Sequence, residues 1–284
     1  MKFRVWFITG ASRGFGLEIA KAVLEQGGAV VAAARNPDEC RERLKSLGDV
    51  LAVRCDVTDR ASVALAVDEA ARHYGKIDVL VNNAGFGLLG AMEELDSREL
   101  EDVFKTNVFG VHTVTRAILP ILREQHSGYI VNISSAGGFT ASPGWGAYNS
   151  SKFALEGMSE SLAQELAPLG IKVLIVEPGP FRTDWAGRSL KKSSRQIAEY
   201  AETAGASLER MISRNGQQAG DPVRAGKAII EALESDNAPL HLVLGMIALE
   251  TARTKIERLR EELDDWEEIS LSADFPESHA AVAD

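Results

Sequence analysis

The sequence predicts a single α/β domain, built on a doubly wound, mostly parallel seven-stranded sheet with helices on both faces. Short apolar runs alternate with longer amphipathic stretches along most of the chain. The apolar runs lack the polar alternation of a sheet with one wet face, so both faces should be covered. A glycine-rich turn also joins the first apolar run to the first amphipathic stretch, which is where such folds bind phosphate.

Seven strands and five long helices are predicted, all before residue 245. The strands are Val5–Ile8, Ala29–Ala34, Val50–Arg54, Val79–Val81, Tyr129–Ile133, Val173–Val176 and His241–Leu244. The helices are Gly16–Gln26, Ala61–His73, Glu99–Arg123, Tyr148–Leu166 and Pro222–Glu234.

Two regions depart from the strand–helix rhythm. Residues 185–220 are polar and rich in Gly, Ser and Arg, which predicts a lid over a binding site. Residues 246–284 begin with apolar side chains at helical spacing, which predicts an extra amphipathic C-terminal helix and an acidic tail. The core domain is therefore predicted to span residues 1–245.

Composition excludes several classes of function. The net charge is −10, which disfavours nucleic acid or an anionic membrane as a partner. No apolar stretch approaches the ~20 residues that span a bilayer. The two cysteines, Cys40 and Cys55, fit free thiols in a reducing cytosol, and the five histidines are scattered without ligand spacing. We therefore expect a soluble cytoplasmic protein without a metal.

The turn after the first strand has the pattern Gly-x-x-x-Gly-x-Gly. Its glycines allow a tight turn and let the backbone approach a pyrophosphate, and the following helix N-terminus supplies N–H donors. This predicts a nucleotide-binding (Rossmann) turn. Its members are Gly10, Ser12, Arg13, Gly14, Phe15 and Gly16.

The turn is one of four segments that resemble the short-chain dehydrogenase/reductase superfamily. The others are Asn82-Asn83-Ala84-Gly85, Tyr148-x-x-x-Lys152 and Pro178-Gly179, in the same order and at similar spacing. The resemblance covers about residues 3–244. It implies an oxidoreductase with a nicotinamide dinucleotide cofactor, and it makes a homodimer or homotetramer an expected assembly.

Two arginines favour NADP(H) over NAD(H). Arg35 ends the second strand, about 20 residues past the glycine turn, where an acidic residue would repel a 2′-phosphate and a basic residue would pair with it. Arg13 can reach the same phosphate. Resemblance implies that Asp56, followed by Val57, contacts the adenine; the alternative that Asp56 caps a helix, a role open to Thr58 or Asp59 as well, stays open.

Tyr148 and Lys152 are the candidate proton-transfer pair. A tyrosine has a pKa near ~10, and lowering that value by about three units requires roughly 4 kcal/mol of preferential phenolate stabilisation. A lysine one helical turn away provides part of it, since residues four apart share a face.

The resemblance implies roles for the remaining site residues. Ser135, rather than the adjacent Ser134, would orient the substrate oxygen, and Asn107 would hold a water linked to Lys152. Lys152 would also bond the nicotinamide ribose. The backbone beside that ribose and the loop around the nicotinamide would comprise Asn83, Ala84, Gly85, Pro178, Gly179, Phe181 and Thr183.

Five aromatic residues next to these loops predict a small apolar or aromatic carbonyl or alcohol substrate. They are Phe86, Phe139, Trp145, Phe181 and Trp185, and each can instead be ordinary packing. The expected function is an NADP(H)-dependent carbonyl reductase or alcohol dehydrogenase. An enoyl reductase would space Tyr and Lys more widely, and an epimerase would have a Gly-x-x-Gly-x-x-Gly turn. The alternative from another class is a catalytically inactive NADP(H)-binding regulator or scaffold.

Overall fold

Within residues 4–275, the part of the chain that the computed structural model describes, nine strands form. They are β1 (Val5–Thr9), β2 (Ala29–Ala34), β3 (Asp49–Arg54), β4 (Val79–Asn82), β5 (Gly87–Leu89), β6 (Gly128–Ile133), β7 (Ile171–Pro178), β8 (Leu190–Lys192) and β9 (His241–Leu244).

Eleven α-helices form in the same range. They are α1 (Gly14–Glu25), α2 (Pro37–Leu44), α3 (Arg60–Tyr74), α4 (Ser97–Phe104), α5 (Val111–Gln125), α6 (Gly146–Leu166), α7 (Trp185–Arg188), α8 (Ala206–Ser213), α9 (Pro222–Glu234), α10 (Met246–Asp265) and α11 (Glu267–Leu271). None of the helices in residues 4–275 is both long and apolar enough to cross a membrane.

The main sheet has seven strands, all parallel, in the order β3-β2-β1-β4-β6-β7-β9. The predicted doubly wound sheet is thus confirmed. The strand order reverses between β1 and β4, and ligands of such folds bind at this switch point, beyond the carboxyl ends of the strands. The glycine turn after β1 lies there.

Helices bury both faces of the sheet, which explains the continuous apolar strands. In β1, Trp6 and Ile8 belong to a core cluster with α1 and α9, whereas Val5 and Phe7 belong to one with α3 and α5. Because alternate side chains enter opposite layers, every residue of β1 is buried.

The predicted helix Glu99–Arg123 is interrupted. The chain forms α4, then a π-helical segment at Lys105–Gly110, then α5. At Gly110 a Cβ would come within 2.8 Å of Val57 Cγ2, so the segment packs closely against the loop after β3. Periodicity could not show this one-turn change, which occurs at Asn107 and is typical of functional sites.

Residues 185–220 are more ordered than their composition predicts. They contain α7, α8 and β8, and β8 pairs in parallel with β5 as a separate two-stranded sheet. Strands of three residues are too short to produce a periodic pattern.

Candidate active site

The glycine turn after β1 is shaped to receive an anion. Gly10 and Gly14 have φ of +65° and +57°, which favour glycine. A Cβ on Gly16 would lie 2.4 Å from Asn83 Nδ2 and 2.6 Å from the Gly10 carbonyl. The N-cap residue of α1, Arg13, makes no side-chain capping bond. The first N–H groups of α1 are thus available to a phosphate.

Thr9 and Asn83 bind this turn to the loop after β4. The Thr9 hydroxyl accepts hydrogen bonds from the N–H groups of Asn83 (2.9 Å) and Ala84 (3.0 Å). In return, Asn83 Nδ2 donates to the carbonyls of Thr9 (2.9 Å) and Gly10 (3.1 Å). The two predicted cofactor segments therefore form one rigid edge. Thr9 was not predicted, although a buried hydroxyl at a strand end indicates such a role.

Asp56 lies beside positive charge and does not cap a helix. Its carboxylate accepts from the N–H (3.0 Å) and hydroxyl (2.8 Å) of Thr58, whereas Asp59 caps α3 through Ala61 N. Burial alone would raise its pKa, but these two bonds and the charges of Arg35 and Lys105 lower it. The capping alternative is therefore wrong for Asp56, which is ionised near the exposed Arg35.

Tyr148 and Lys152 occupy the first turns of α6, and both are buried. Lys152 Nζ lies 5.7 Å from the centre of the Tyr148 ring and donates a 2.7 Å hydrogen bond to the Ile133 carbonyl. This bond ties the start of α6 to the end of β6. The predicted shared face is thus present.

The two adjacent serines have different partners. Ser135 lies next to the Tyr148 ring, lowers the pKa of its hydroxyl, and accepts from Gly137 N at 3.0 Å. Ser134 is buried and donates to Glu156 instead. The structure therefore brings Ser135 together with Tyr148, in agreement with the sequence interpretation.

Burial controls both pKa values of the catalytic pair. It raises the pKa of Tyr148 to about 12, against the lowering effect of the Ser135 hydrogen bond. It lowers the pKa of Lys152 to about 8, against the raising effect of the Glu156 charge. A lowered tyrosine pKa was expected; desolvation outweighs that effect here. At neutral pH Tyr148 is a protonated phenol, and Lys152 is mostly charged.

Asn107 is buried in the π-helical segment and uses its whole amide. Its Oδ1 accepts from Phe86 N (3.1 Å), and its Nδ2 donates to the Phe86 carbonyl (2.9 Å) and to Ser151 Oγ (3.1 Å). These bonds join the loop after β4 to α6, beside Lys152. The side chain therefore positions two site segments relative to each other.

An aromatic cluster surrounds Tyr148. Trp145 and Trp185 stack with their ring centres 6.1 Å apart, and the Tyr148 ring is 5.8 Å from Trp145 and 5.3 Å from Trp185. Phe181 packs instead on Phe15 in the glycine turn, at 5.0 Å. Of the five predicted substrate residues, Trp145 and Trp185 thus lie at the tyrosine and Phe181 lies at the cofactor turn, whereas Phe86 packs under Lys191, 4.5 Å from its Nζ.

The loop after β7 closes the other side of the turn. Thr183 Cβ lies 3.8 Å from where a Cβ on Gly14 would be, and Gly179 packs closely on Ala248 of α10. Arg182 donates to the Gln218 carbonyl at 3.1 and 3.3 Å, which attaches the end of the 185–220 segment to this loop. Pro178 is the last residue of β7.

A cluster of Glu156, Glu177 and His241 lies behind Lys152. His241 Nδ1 is 2.7 Å from Glu177 Oε1 and 3.7 Å from Glu156 Oε2, and both glutamates are buried. Burial raises the pKa of Glu156 to about 7. One side-chain nitrogen or oxygen atom of each of the three residues lies within 4.8 Å of the others. The residues are far apart in the sequence, so their spacing along the chain could not show this cluster.

The chain matches the family model described as short chain dehydrogenase over residues 4–194. It is 40% identical over 273 residues to oxidoreductase BOA17 of Botryotinia fuckeliana, with 95% of this chain and 99% of that protein covered. It is 38% identical over 246 residues to the 3-ketodihydrosphingosine reductase of Bacteroides thetaiotaomicron, with 86% and 89% covered.

Solved structures agree with these sequence matches. A short-chain dehydrogenase from Streptomyces avermitilis has a TM-score of 0.90 at 42% identity, with 96% of this chain and 100% of that chain covered. A Burkholderia phymatum enzyme in complex with NAD has a TM-score of 0.80 at 26% identity, with 92% and 95% covered. An alcohol dehydrogenase from Thermococcus sibiricus complexed with 5-hydroxy-NADP has 0.71 at 25%, with 85% and 95% covered.

Proposed function

Because the chain belongs to the short-chain dehydrogenase/reductase superfamily, we propose that it is an NADP(H)-dependent carbonyl reductase or alcohol dehydrogenase. It interconverts a ketone and a secondary alcohol. The observation that carries this proposal is Tyr148, a buried protonated phenol that lies next to Ser135 and is enclosed by Trp145 and Trp185.

The residues at the switch point fit a dinucleotide. The Gly10–Gly16 turn leaves no room for side chains at Gly10 and Gly16, and the N-terminus of α1 is open to a phosphate. Asn83, Ala84 and Gly85 extend this edge towards Lys152. When bound there, the nicotinamide cofactor exchanges a hydride with the substrate carbon.

The chain's own groups manage the proton. In the reducing direction Tyr148 donates its hydroxyl proton to the substrate oxygen as negative charge develops there. Ser135 orients that oxygen by a hydrogen bond. The Lys152 ammonium stabilises the phenolate that remains, and the Ile133 carbonyl holds the ammonium in place.

The phosphorylated cofactor is favoured by charge. Arg35 follows β2 and is close enough to Asp56 for its charge to lower the pKa of that carboxyl. A guanidinium at this strand end pairs with a 2′-phosphate, as does Arg13 from the glycine turn. The two cofactors in the solved relatives, NAD in one and an NADP derivative in another, do not decide between the forms for this chain.

The substrate is an apolar or aromatic carbonyl compound, because Trp145 and Trp185 form the wall next to the Tyr148 hydroxyl. The ketone in the name of the Bacteroides relative supports this substrate class. Residues 185–220 act as the lid, since Trp185 at their start covers Tyr148 and Arg182 is bonded to Gln218 near their end. Free, buried Cys40 and Cys55 suit the cytoplasm.

The experiment follows NADPH absorbance with a panel of ketones, aldehydes and quinones, for wild type and Tyr148→Phe. We expect turnover in the wild type and a loss of about 10²-fold or more in kcat for the variant, because the proton donor is removed. NADPH affinity, measured by fluorescence titration, should be retained.

Tyr74→Phe provides a matched control, since it removes the same hydroxyl from a tyrosine outside the site, where that hydroxyl donates to Asp49 at 2.9 Å. Equal kcat for wild type and Tyr148→Phe would contradict the mechanism. NADPH binding without turnover of any panel member would favour the inactive regulator instead.

A further inference from the structure

Helix α10 leaves the body of the protein soon after it starts. Ala248, in its first turn, is fully buried and packs on Gly179. From Arg253 to Phe275, by contrast, every residue is exposed. At ~1.5 Å per residue the helix therefore extends about 20 Å into solvent.

Helix α10 and its C-cap residue Trp266 carry an apolar seam with a heptad repeat. Its six positions are separated by alternating steps of three and four residues, which is the a/d pattern of a coiled coil and narrower than the stripe that packs on a globular core. The five large members are 40–68% exposed. The six residues are Leu249, Ala252, Ile256, Leu259, Leu263 and Trp266, and all other positions from 250 to 265 are polar or charged.

The charges of α10 oppose an isolated helix. Its basic residues come first, from Arg253 to Arg260, and its last turn contains acidic residues and no basic one. Acidic groups at a helix C-terminus are repelled by the helix dipole. A single projecting helix with this order of charges and an unburied seam is only marginally stable. A second helix that runs in the opposite direction removes both defects.

We propose that α10 pairs with α10 of a second copy of this chain as an antiparallel two-helix coiled coil. The residues that flank the seam decide the direction, as they do in coiled coils generally. In a parallel pair Lys255 would face Arg260 of the second copy, which brings like charges together.

In the antiparallel pair one flank of the seam becomes complementary. Lys255 faces Glu262 of the second copy, twice because of the two-fold axis. On the other flank Arg253 lies nearest to Arg260 of the second copy, and Arg260 is already paired with Glu257 within its helix at 2.9 Å. Charge complementarity therefore selects a second copy in the antiparallel direction.

The seam residues also match in size. In this register Trp266 lies opposite Leu249, Leu263 opposite the small Ala252, and Ile256 opposite Leu259. The two-fold axis passes between residues 257 and 258. An interface of this kind is self-complementary and closed, so it produces dimers rather than open chains.

Disulfide trapping tests the direction directly. Full-length Ile256→Cys and Leu259→Cys are oxidised separately and as an equimolar mixture, with wild type as the control because Cys40 and Cys55 are buried. We expect a cross-linked dimer in the mixture only. Cross-linking of Ile256→Cys with itself would show a parallel pair, and absence of any cross-link would show no pairing; either result overturns the proposal.

Charge reversal tests complementarity in the full chain by sedimentation velocity. Lys255→Glu and Glu262→Lys should each weaken association at least about tenfold, and the double variant should restore it. Glu261→Lys, the same charge change on the outer face, is the control and should leave association unchanged. The proposal is overturned if the wild type sediments as a monomer, or if the single variants associate as the wild type does. It is also overturned if Trp266 fluorescence in a monomer is already protected from quenching by iodide.

Discussion

Burial favours the neutral forms of Tyr148 and Lys152, because it raises the pKa of the phenol and lowers the pKa of the ammonium. Ser135 shifts the Tyr148 pKa in the opposite direction, and Glu156 does so for the Lys152 pKa. Tyr148 with a pKa of about 12 keeps its proton until a substrate oxygen takes it. Lys152 with a pKa of about 8 loses its charge just above neutral pH. The site is therefore set for proton donation, and its alkaline limit should follow the lysine rather than the tyrosine.

The raised pKa of Glu156 predicts how stability depends on pH. Its pKa of about 7 lies above its ordinary value of 4.5, so the folded protein binds the proton more tightly than the unfolded chain does. The stabilisation is complete below pH 4.5 and is lost as the pH rises to about 7. Glu156→Gln cannot ionise, so its melting temperature should fall less between pH 5 and 8.

The matched control is Glu160→Gln, one turn further along α6. The Glu160 carboxylate is 54% exposed and lies 3.9 Å from His241 Nε2. The substitution therefore removes the same charge as Glu156→Gln, but from an exposed position rather than a buried one. Thermal melts of the three proteins at several pH values provide the measurement. Parallel pH curves for wild type and Glu156→Gln would contradict the buried-carboxyl interpretation.

Arg35 should determine the choice between NADPH and NADH. Arg35→Asp replaces a charge that pairs with the 2′-phosphate by one that repels it. The loss of a charge-assisted hydrogen bond, at about 1.5–3 kcal/mol, predicts NADPH affinity lower by roughly 10-fold or more, with NADH affinity kept. Kd values from fluorescence titration check this, and Arg41→Asp on α2 is the control. Unchanged NADPH affinity would contradict it.

At the scale of elements, the π-helical segment is the part of the fold that the site depends on most. It brings the Asn107 amide to Phe86 and Ser151, and the pairing of β5 with β8 then joins the chain after Phe86 to the start of residues 185–220. A regular helix from 97 to 125 would turn the Asn107 side chain away from the loop. The change in helical bonding is thus a structural requirement of the site.

Asn107→Ala tests this connection. It leaves the half-buried backbone N–H and carbonyl of Phe86 without these partners, while the Ser151 hydroxyl keeps its bond to the Tyr148 carbonyl, which predicts about 1–3 kcal/mol of lost stability. We also expect a lower kcat, because the loop after β4 loses its attachment to α6. Urea unfolding and turnover with NADPH measure the two effects.

Thr113→Ala is the control for Asn107→Ala, since the Thr113 hydroxyl bonds only the Phe109 carbonyl of its own helix among the described residues. It should change stability by less than about 0.5 kcal/mol. If both variants behave alike, the bonds of Asn107 do not hold the site together.

At the scale of the whole molecule, pattern and position predicted most of the fold and the catalytic pair. The strands of the main sheet were visible because both faces are buried, and Tyr148 and Lys152 because four residues separate them on one helix. Thr9, Glu177 and His241 were missed, since their roles depend on contacts between residues 64 or more positions apart. The helices and the strand within residues 185–220 were not predicted, because they are shorter than the periods that reveal them.

The four tryptophans of the chain occupy three different environments, so the molecule carries its own optical reporters. Trp6 is fully buried in the core, Trp145 and Trp185 are stacked at Tyr148, and Trp266 is 60% exposed on the seam of α10. The fluorescence of Trp6 should change only on unfolding. The fluorescence of Trp145 and Trp185 should change when residues 185–220 rearrange. A blue shift from Trp266 alone would report association, so fluorescence can distinguish these three events in a single sample.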